Sequence, residues 1–108
     1  GALAVLSARV GSIADNRLGG WYAYRASKAA LNMLLKTAAI EQARRYPEAR
    51  LLSLHPGTVV SPLSQPFRGS AAARPALQAA AELLAVVDNS KASDSGSFVA
   101  YDGASVPW

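Results

Sequence analysis

The side chains best suited to chemistry in this chain crowd into one stretch, Tyr22-Ala23-Tyr24-Arg25-Ala26-Ser27-Lys28, where two phenols and two cations open an apolar run. If the stretch is helical, residues four apart stand nearly above one another, about 6 Å along the axis. Tyr24 and Lys28 have that spacing, so phenol and ammonium can point into one cleft. Tyr22 lies six residues from Lys28, roughly 240° round the helix, and at best approaches Arg25. A nearby ammonium favours a phenolate and lowers a phenol's pKa from about 10 toward the working range. A phenol so tuned can act as a general acid or base. A Tyr and a Lys four apart also make an ordinary surface pair of a helix, so the elements around them must decide.

The helix that would carry the pair runs from about Tyr22 to Arg45. Ala, Leu, Met, Lys, Glu and Gln dominate it, and neither Pro nor Gly interrupts it. Ala30, Leu31, Leu34, Leu35, Ala38 and Ala39 recur at helical spacing, while Ala29, Met33 and Ile40 widen the stripe. A helix so apolar is expected to be covered on two sides. Ahead of it, ALAVLS (2–7) has strand length and leads into the polar, glycine-bearing stretch 11–20. Behind it, 50–57 reads as a strand closed by Pro56-Gly57, and 58–72 as a long loop. A second helix is expected over 74–88, with Pro75 in its first turn. A polar turn (88–97) and a last strand, FVAYDG (98–103), complete the chain.

This order, strand-helix-strand-helix-strand, uses helices too long for hairpins and natural as crossovers. The strands should therefore be parallel with right-handed connections, forming one portion of a doubly wound α/β Rossmann-type sheet. Ligands of such sheets bind beyond the carboxyl ends of strands, and Ser12, Tyr24 and Thr58 all follow strand ends. Three strands make a thin sheet, and Ala2–Leu6 would have one unpaired edge. The chain starts at Gly1 and its only methionine is Met33, so it is expected to be the carboxy-terminal part of a longer protein whose neighbouring strands precede Gly1.

Composition narrows the classes further. Of 108 residues, 51% are hydrophobic and 17% charged, which describes a buried core rather than a disordered tail. The net charge of +4 is scattered, without a basic run interleaved with aromatics, so a nucleic-acid face is not expected. With no cysteine and a single histidine, His55, the chain offers neither a disulfide frame nor a zinc centre. No apolar run reaches the roughly 18 residues that span a bilayer, and GALAVLSARV lacks the charged leader of a signal peptide. A soluble, cytoplasmic protein is expected. His55 reads as structural, Trp21 and Trp108 as packing residues, and Asp15 and Asp102 have no evident partner in the sequence.

The segment resembles the signature of the short-chain dehydrogenase/reductase family, in which a Tyr, three residues and a Lys open a long helix of a nucleotide-binding sheet. Tyr24-Arg25-Ala26-Ser27-Lys28 matches, followed by the small-residue run Ala29-Ala30-Leu31-Asn32. The strand and Ser-bearing loop before it, the strand ending in His55-Pro56-Gly57 and the final FVAYDG extend the resemblance over essentially the whole chain. The wording SARVGSIADNRLGGWYAYRASKAALNML is most similar to the C-factor and sniffer-like carbonyl reductase branch.

The resemblance implies an oxidoreductase that interconverts a carbonyl and an alcohol with NADP or NAD. In it Tyr24 is the acid or base at the carbonyl oxygen, and Lys28 binds the nicotinamide ribose hydroxyls and activates the phenol. A family serine hydrogen-bonds the substrate oxygen. The usual paired serines align with Ser7-Ala8, so the common second serine is Ala8 here. Ser12, twelve residues before Tyr24, is the favoured candidate, Ser7 the alternative, and a site without that role the third. Pro56, Gly57, Thr58 and Val59 match the loop whose backbone reaches the nicotinamide carboxamide, and Ser61 stands where a hydroxyl usually bonds that amide. Loop 62–72, with Pro62, Leu63, Pro66 and Phe67, resembles a substrate lid for a hydrophobic carbonyl compound. Asn32 reads as packing or as a dimer contact, and helix 24–44 as the contact of a homodimer or homotetramer.

The family's glycine-rich pyrophosphate turn does not occur in these residues. The chain therefore carries the proton-transfer half of a site, and alone is expected to be inactive, because hydride transfer needs a bound, oriented cofactor. Two other readings remain at this point: a C-factor-like signalling or interaction protein on the same fold, and a truncated, non-functional remnant.

Overall fold

Arg50–His55 holds the apolar residues Leu51, Leu52 and Leu54 in close succession, the pattern of a strand covered on both faces, and it takes the centre of the sheet. The structure is a computed structural model that describes residues 1–57 and 75–108. Three strands, β1 (Ala2–Leu6), β2 (Arg50–His55) and β3 (Ser97–Ala100), lie in the order β1-β2-β3. Both pairings are parallel. Ala2 stands opposite Arg50 and Leu6 opposite Leu54, while Leu52 faces Ser97 and His55 faces Ala100. Helix α1 (Tyr22–Ala43) follows β1, and helix α2 (Ala76–Asn89) precedes β3. The α/β architecture expected from the sequence is present, with β1 at an edge of the described sheet.

Alternation along β2 sorts its side chains between two faces. Leu51 joins Leu35 and Ala39 of α1 in one cluster, with Val5, Ala38 and Ala49 around it. Ser53, on the same face, donates to Asn32 Oδ1 of α1 at 2.6 Å. Leu52 and Leu54 face the other way and are fully buried. Burying one such leucine is worth about 1.5–3 kcal/mol, so the central strand anchors both layers. A separate cluster, Phe98, Ala100 and Val106, closes the β3 corner.

Several boundaries move inward for identifiable reasons. Strand β1 ends at Leu6, one residue short of Ser7. Pro56 and Gly57 lie beyond β2 rather than in it; Gly57 has φ 74°, a left-handed value that ends a strand. Helix α1 stops at Ala43, two residues before Arg45. Helix α2 spans Ala76–Asn89, and Pro75 is its N-cap rather than a first-turn residue, because its ψ of 141° is extended. Strand β3 ends at Ala100 and not at Gly103. Gly103, at φ 87°, donates its N–H to Ala100 O at 2.9 Å, so Tyr101-Asp102-Gly103 form a turn. The chain then doubles back, with Ser105 bridging Val99 antiparallel and Val106 N–H donating to Phe98 O at 2.9 Å. The stretch 88–97 contains a short 3-10 turn, Ala92–Asp94, whose Asp94 carboxylate accepts Lys91 N–H at 2.7 Å. The long loop expected over 58–72 lies outside the described residues.

The expectation for α1 is met on one side only. Leu35 and Ala39 are buried against the sheet, whereas Leu34 is 68% exposed and Met33 66%. Among the described residues nothing covers that second apolar side.

Candidate functional site

The site is assembled where β1 ends and α1 begins. After Ser7 the chain makes a 3-10 turn, Arg9–Gly11, with Gly11 N–H donating to Ala8 O at 2.9 Å. Gly11 then presses against the first turns of α1. A Cβ there would stand 2.8 Å from Lys28 Cβ, 3.0 Å from Lys28 C and 3.1 Å from Ala29 N. No side chain fits that gap, so glycine sets how closely the loop approaches Lys28. Ser12, the next residue, is thereby carried to the mouth of the helix.

The entry into α1 is tight. Gly19 (φ 70°), Gly20 (φ 74°) and Trp21 (φ 53°) are all left-handed, an uncommon state for a residue with a side chain. Arg25 holds this entry: Nε donates to Gly20 O at 2.9 Å, one terminal nitrogen to Gly19 O at 3.1 Å, the other to Val10 O at 3.3 Å. The second cation of the opening motif is therefore a clamp on backbone carbonyls and not a partner of Tyr22.

Tyr24 and Lys28 share one face, as their spacing implies. Lys28 Nζ lies 5.7 Å from the Tyr24 ring centroid, within cation–π range, and donates to Leu6 O at the carboxyl end of β1 at 3.3 Å. The ammonium thus sits over the ring and bridges helix and strand. Trp21 meets the Tyr24 ring edge-on at 6.2 Å. Tyr24 keeps 46% of its surface exposed, whereas Tyr22 projects away with 88% exposed.

Both candidate serines are buried. Ser12 is 1% exposed, and its Oγ accepts the Asp15 N–H at 3.0 Å. That bond uses a lone pair and leaves the hydroxyl proton to be donated elsewhere. Ser7 is 4% exposed, its N–H donates to Leu54 O at 2.7 Å, and its Oγ has no hydrogen-bond partner among the described residues. Pro56 and Gly57 follow β2 at the same edge of the sheet, while Thr58, Val59 and Ser61 lie outside the described residues, as do lid positions 62–72.

The remaining expectations resolve individually. His55 Nδ1 accepts the Arg9 N–H at 3.1 Å, tying the end of β2 to the 3-10 turn, a structural role as expected. Asp15 does have a partner, Arg9 at 3.7 Å, and Asp102 Oδ1 accepts Ala104 N–H at 3.0 Å. Sequence spacing misses both because each contact depends on how a loop folds back. Trp108 stacks on Phe98 at 5.5 Å, as a packing residue should. Asn32 is 2% exposed and bonded to Ser53, so it is a packing residue and not a dimer contact. Gly11 and the Arg25 clamp went unassigned in the sequence; the Gly19-Gly20 pair was the one legible sign of a strained entry. Among the described residues no three His, Cys, Asp or Glu side chains could hold a metal ion, and no helix is long and apolar enough to cross a membrane.

Comparison with known proteins gives this geometry its context. No protein-family model matches the chain. It is 38% identical over 107 residues to the C-signal of Myxococcus xanthus, covering 98% of this chain and 60% of that protein. The carbonyl reductase Sniffer of D. melanogaster superimposes with a TM-score of 0.86 at 32% identity, over 99% of this chain and 41% of the other. An NADPH-bound carbonyl reductase from chicken fatty liver gives a TM-score of 0.86 at 30% identity, over 99% and 42%. The chain spans about half the length of the curated relatives it matches, between 45% and 60%. A parallel α/β sheet, a tyrosine and lysine one turn apart at a strand's carboxyl end, and likeness to carbonyl reductases over almost every residue agree: the chain is similar, along nearly its whole length, to members of the short-chain dehydrogenase/reductase family.

Proposed function

We propose that these residues form the proton-transfer part of an NAD(P)(H)-dependent oxidoreductase that interconverts a carbonyl compound and an alcohol. The observation that carries this reading is the placement of Lys28 Nζ between the Tyr24 ring and Leu6 O, at the carboxyl end of a parallel strand. Tyr24, half-exposed, donates its hydroxyl proton to the carbonyl oxygen during reduction and takes it back during oxidation. Ser12, whose Oγ accepts from Asp15 N–H, turns its own proton toward the same oxygen. A nicotinamide cofactor, when held beside these residues, would supply or receive the hydride. Lys28 suits the ribose hydroxyls of that cofactor, because one of its three N–H donors is engaged on Leu6 O and its head remains at the surface. Pro56, Gly57, Thr58, Val59 and Ser61 take the carboxamide end, with NADP or NAD as cofactor; NADPH in the chicken carbonyl reductase favours the phosphorylated form. The substrate is a small molecule.

The reading includes the wider assembly. These residues are the carboxy-terminal part of one Rossmann domain, and without the cofactor-binding half they turn over nothing. The exposed side of α1, with Met33 and Leu34, is the homodimer or homotetramer contact, and the protein works in the cytoplasm. In the complete protein, Tyr24→Phe lowers turnover about 10²–10⁴-fold while NADPH still binds, measured by cofactor fluorescence. Retained turnover would sink the assignment.

A second reading has its own support. The C-signal relative and the Ala8 substitution favour a signalling or interaction protein on this fold. Titrating the complete protein with NADPH separates the two, since a pure interaction module leaves cofactor fluorescence unchanged.

A further inference from the structure

Helix α1 carries apolar residues on more than one side, and burial alone does not choose among them. Leu35 and Ala39 face the sheet, while Leu34 and Met33, one and two positions earlier than Leu35, remain mostly exposed. Rolling the helix by about 100° exchanges one residue for its neighbour, and the hydrophobic effect, being non-directional, discriminates weakly between the two leucines. Yet the Tyr24–Lys28 stripe points usefully in one orientation only.

A polar contact inside the apolar interface makes the choice. Ser53 Oγ donates to Asn32 Oδ1 at 2.6 Å, and both residues are buried, at 0% and 2% exposure. Asn32 lies one turn beyond Lys28, which lies one turn beyond Tyr24, so its orientation sets theirs. Its anchor is close to the site: Ser53 pairs in register with Val5, the neighbour of Leu6, whose carbonyl receives Lys28. A second observation bears on why the pair is there. Asn32 Nδ2 is buried with no hydrogen-bond partner among the described residues. An apolar residue of similar size would avoid that penalty, so the pair serves orientation more than stability.

We infer that the Asn32–Ser53 hydrogen bond is the rotational lock of α1, making both positioning residues that hold Tyr24 and Lys28 at the carboxyl end of β1. The functional consequence rests on the proposed role of Tyr24 and Lys28; the lock itself does not.

The test uses the complete protein with Asn32→Leu, Ser53→Ala, their combination, and Ser53→Thr, which keeps the hydroxyl. In the double variant Tm changes by less than about 4 °C, while kcat falls about tenfold or more with KM nearly unchanged, as misplacement of a reacting group requires. Ser53→Thr retains activity. In crystals of the double variant, Lys28 Nζ moves out of hydrogen-bonding range of Leu6 O, from 3.3 Å. If that contact persists in the double variant, or in Ser53→Ala should the double variant not fold, the lock is disproved. If the native protein reduces no carbonyl compound, the proposed function fails instead, and the crystallographic contact alone decides the lock.

Discussion

The mouth of α1 and the β3 corner sit on the same three-stranded sheet but are held in different ways. At the mouth, directional contacts dominate: Arg25 on three carbonyls, Lys28 on Leu6 O, and Gly11 against the Lys28 backbone. At the corner, Phe98 lies 2% exposed between Ala100 and Val106, with Trp108 stacked on its ring. Apolar packing supplies most of the energy of a fold and tolerates small shifts in orientation. Hydrogen bonds and close backbone approaches contribute less net energy but fix atoms to within tenths of an ångström. The candidate site thus lies where geometry is over-determined, while the β3 corner is held by apolar packing.

Substitutions can break this division. The largest effect is expected at the corner: Phe98→Ala removes a fully buried ring and costs about 3–5 kcal/mol of unfolding free energy, read from denaturant midpoints of the complete protein. Turnover per folded molecule should stay near native; a fall beyond tenfold would show that the corner also shapes the site. At the mouth, Gly11→Ala forces a methyl into a 2.8 Å gap. Overpacking of this kind costs about 1–3 kcal/mol, and here it displaces Lys28, so activity should drop well beyond the stability loss. Equal losses in the two would mean that the loop merely packs. The smallest effect belongs to Arg25→Ala, about 1 kcal/mol, because its carbonyl partners are near the surface and water replaces the guanidinium. Hydrogen exchange should nevertheless quicken at the N–H groups of 10–20, and unchanged exchange would remove Arg25 as the clamp.

Much of the frame was legible because it depends on short-range pattern. Three apolar strands, two uninterrupted helices and their alternation lead to a parallel sheet, and the four-residue spacing separates Tyr24 from Tyr22. Boundaries were less legible. FVAYDG reads as one strand, yet Gly103 at φ 87° turns the chain, and among the described residues no neighbouring strand continues the parallel ladder past Ala100. Asp15 and Asp102 found partners that only loop geometry supplies. Spacing favours Ser12 and keeps Ser7 as the alternative; both are buried, and they differ in that Ser12 Oγ is engaged by Asp15 N–H while Ser7 Oγ has no partner among the described residues.

The sequence by itself determined the order of elements and the shared face of Tyr24 and Lys28, since helical periodicity and residue spacing are properties of the chain alone, and its motifs carried the resemblance to a family. Tertiary structure decided where that face points. Gly11 against Lys28, Arg25 on the loop carbonyls and Asn32 on Ser53 join residues between 5 and 21 positions apart in sequence. The physical reason is that a helix can be rolled at little cost in apolar burial, and only contacts made across the fold are directional enough to stop it.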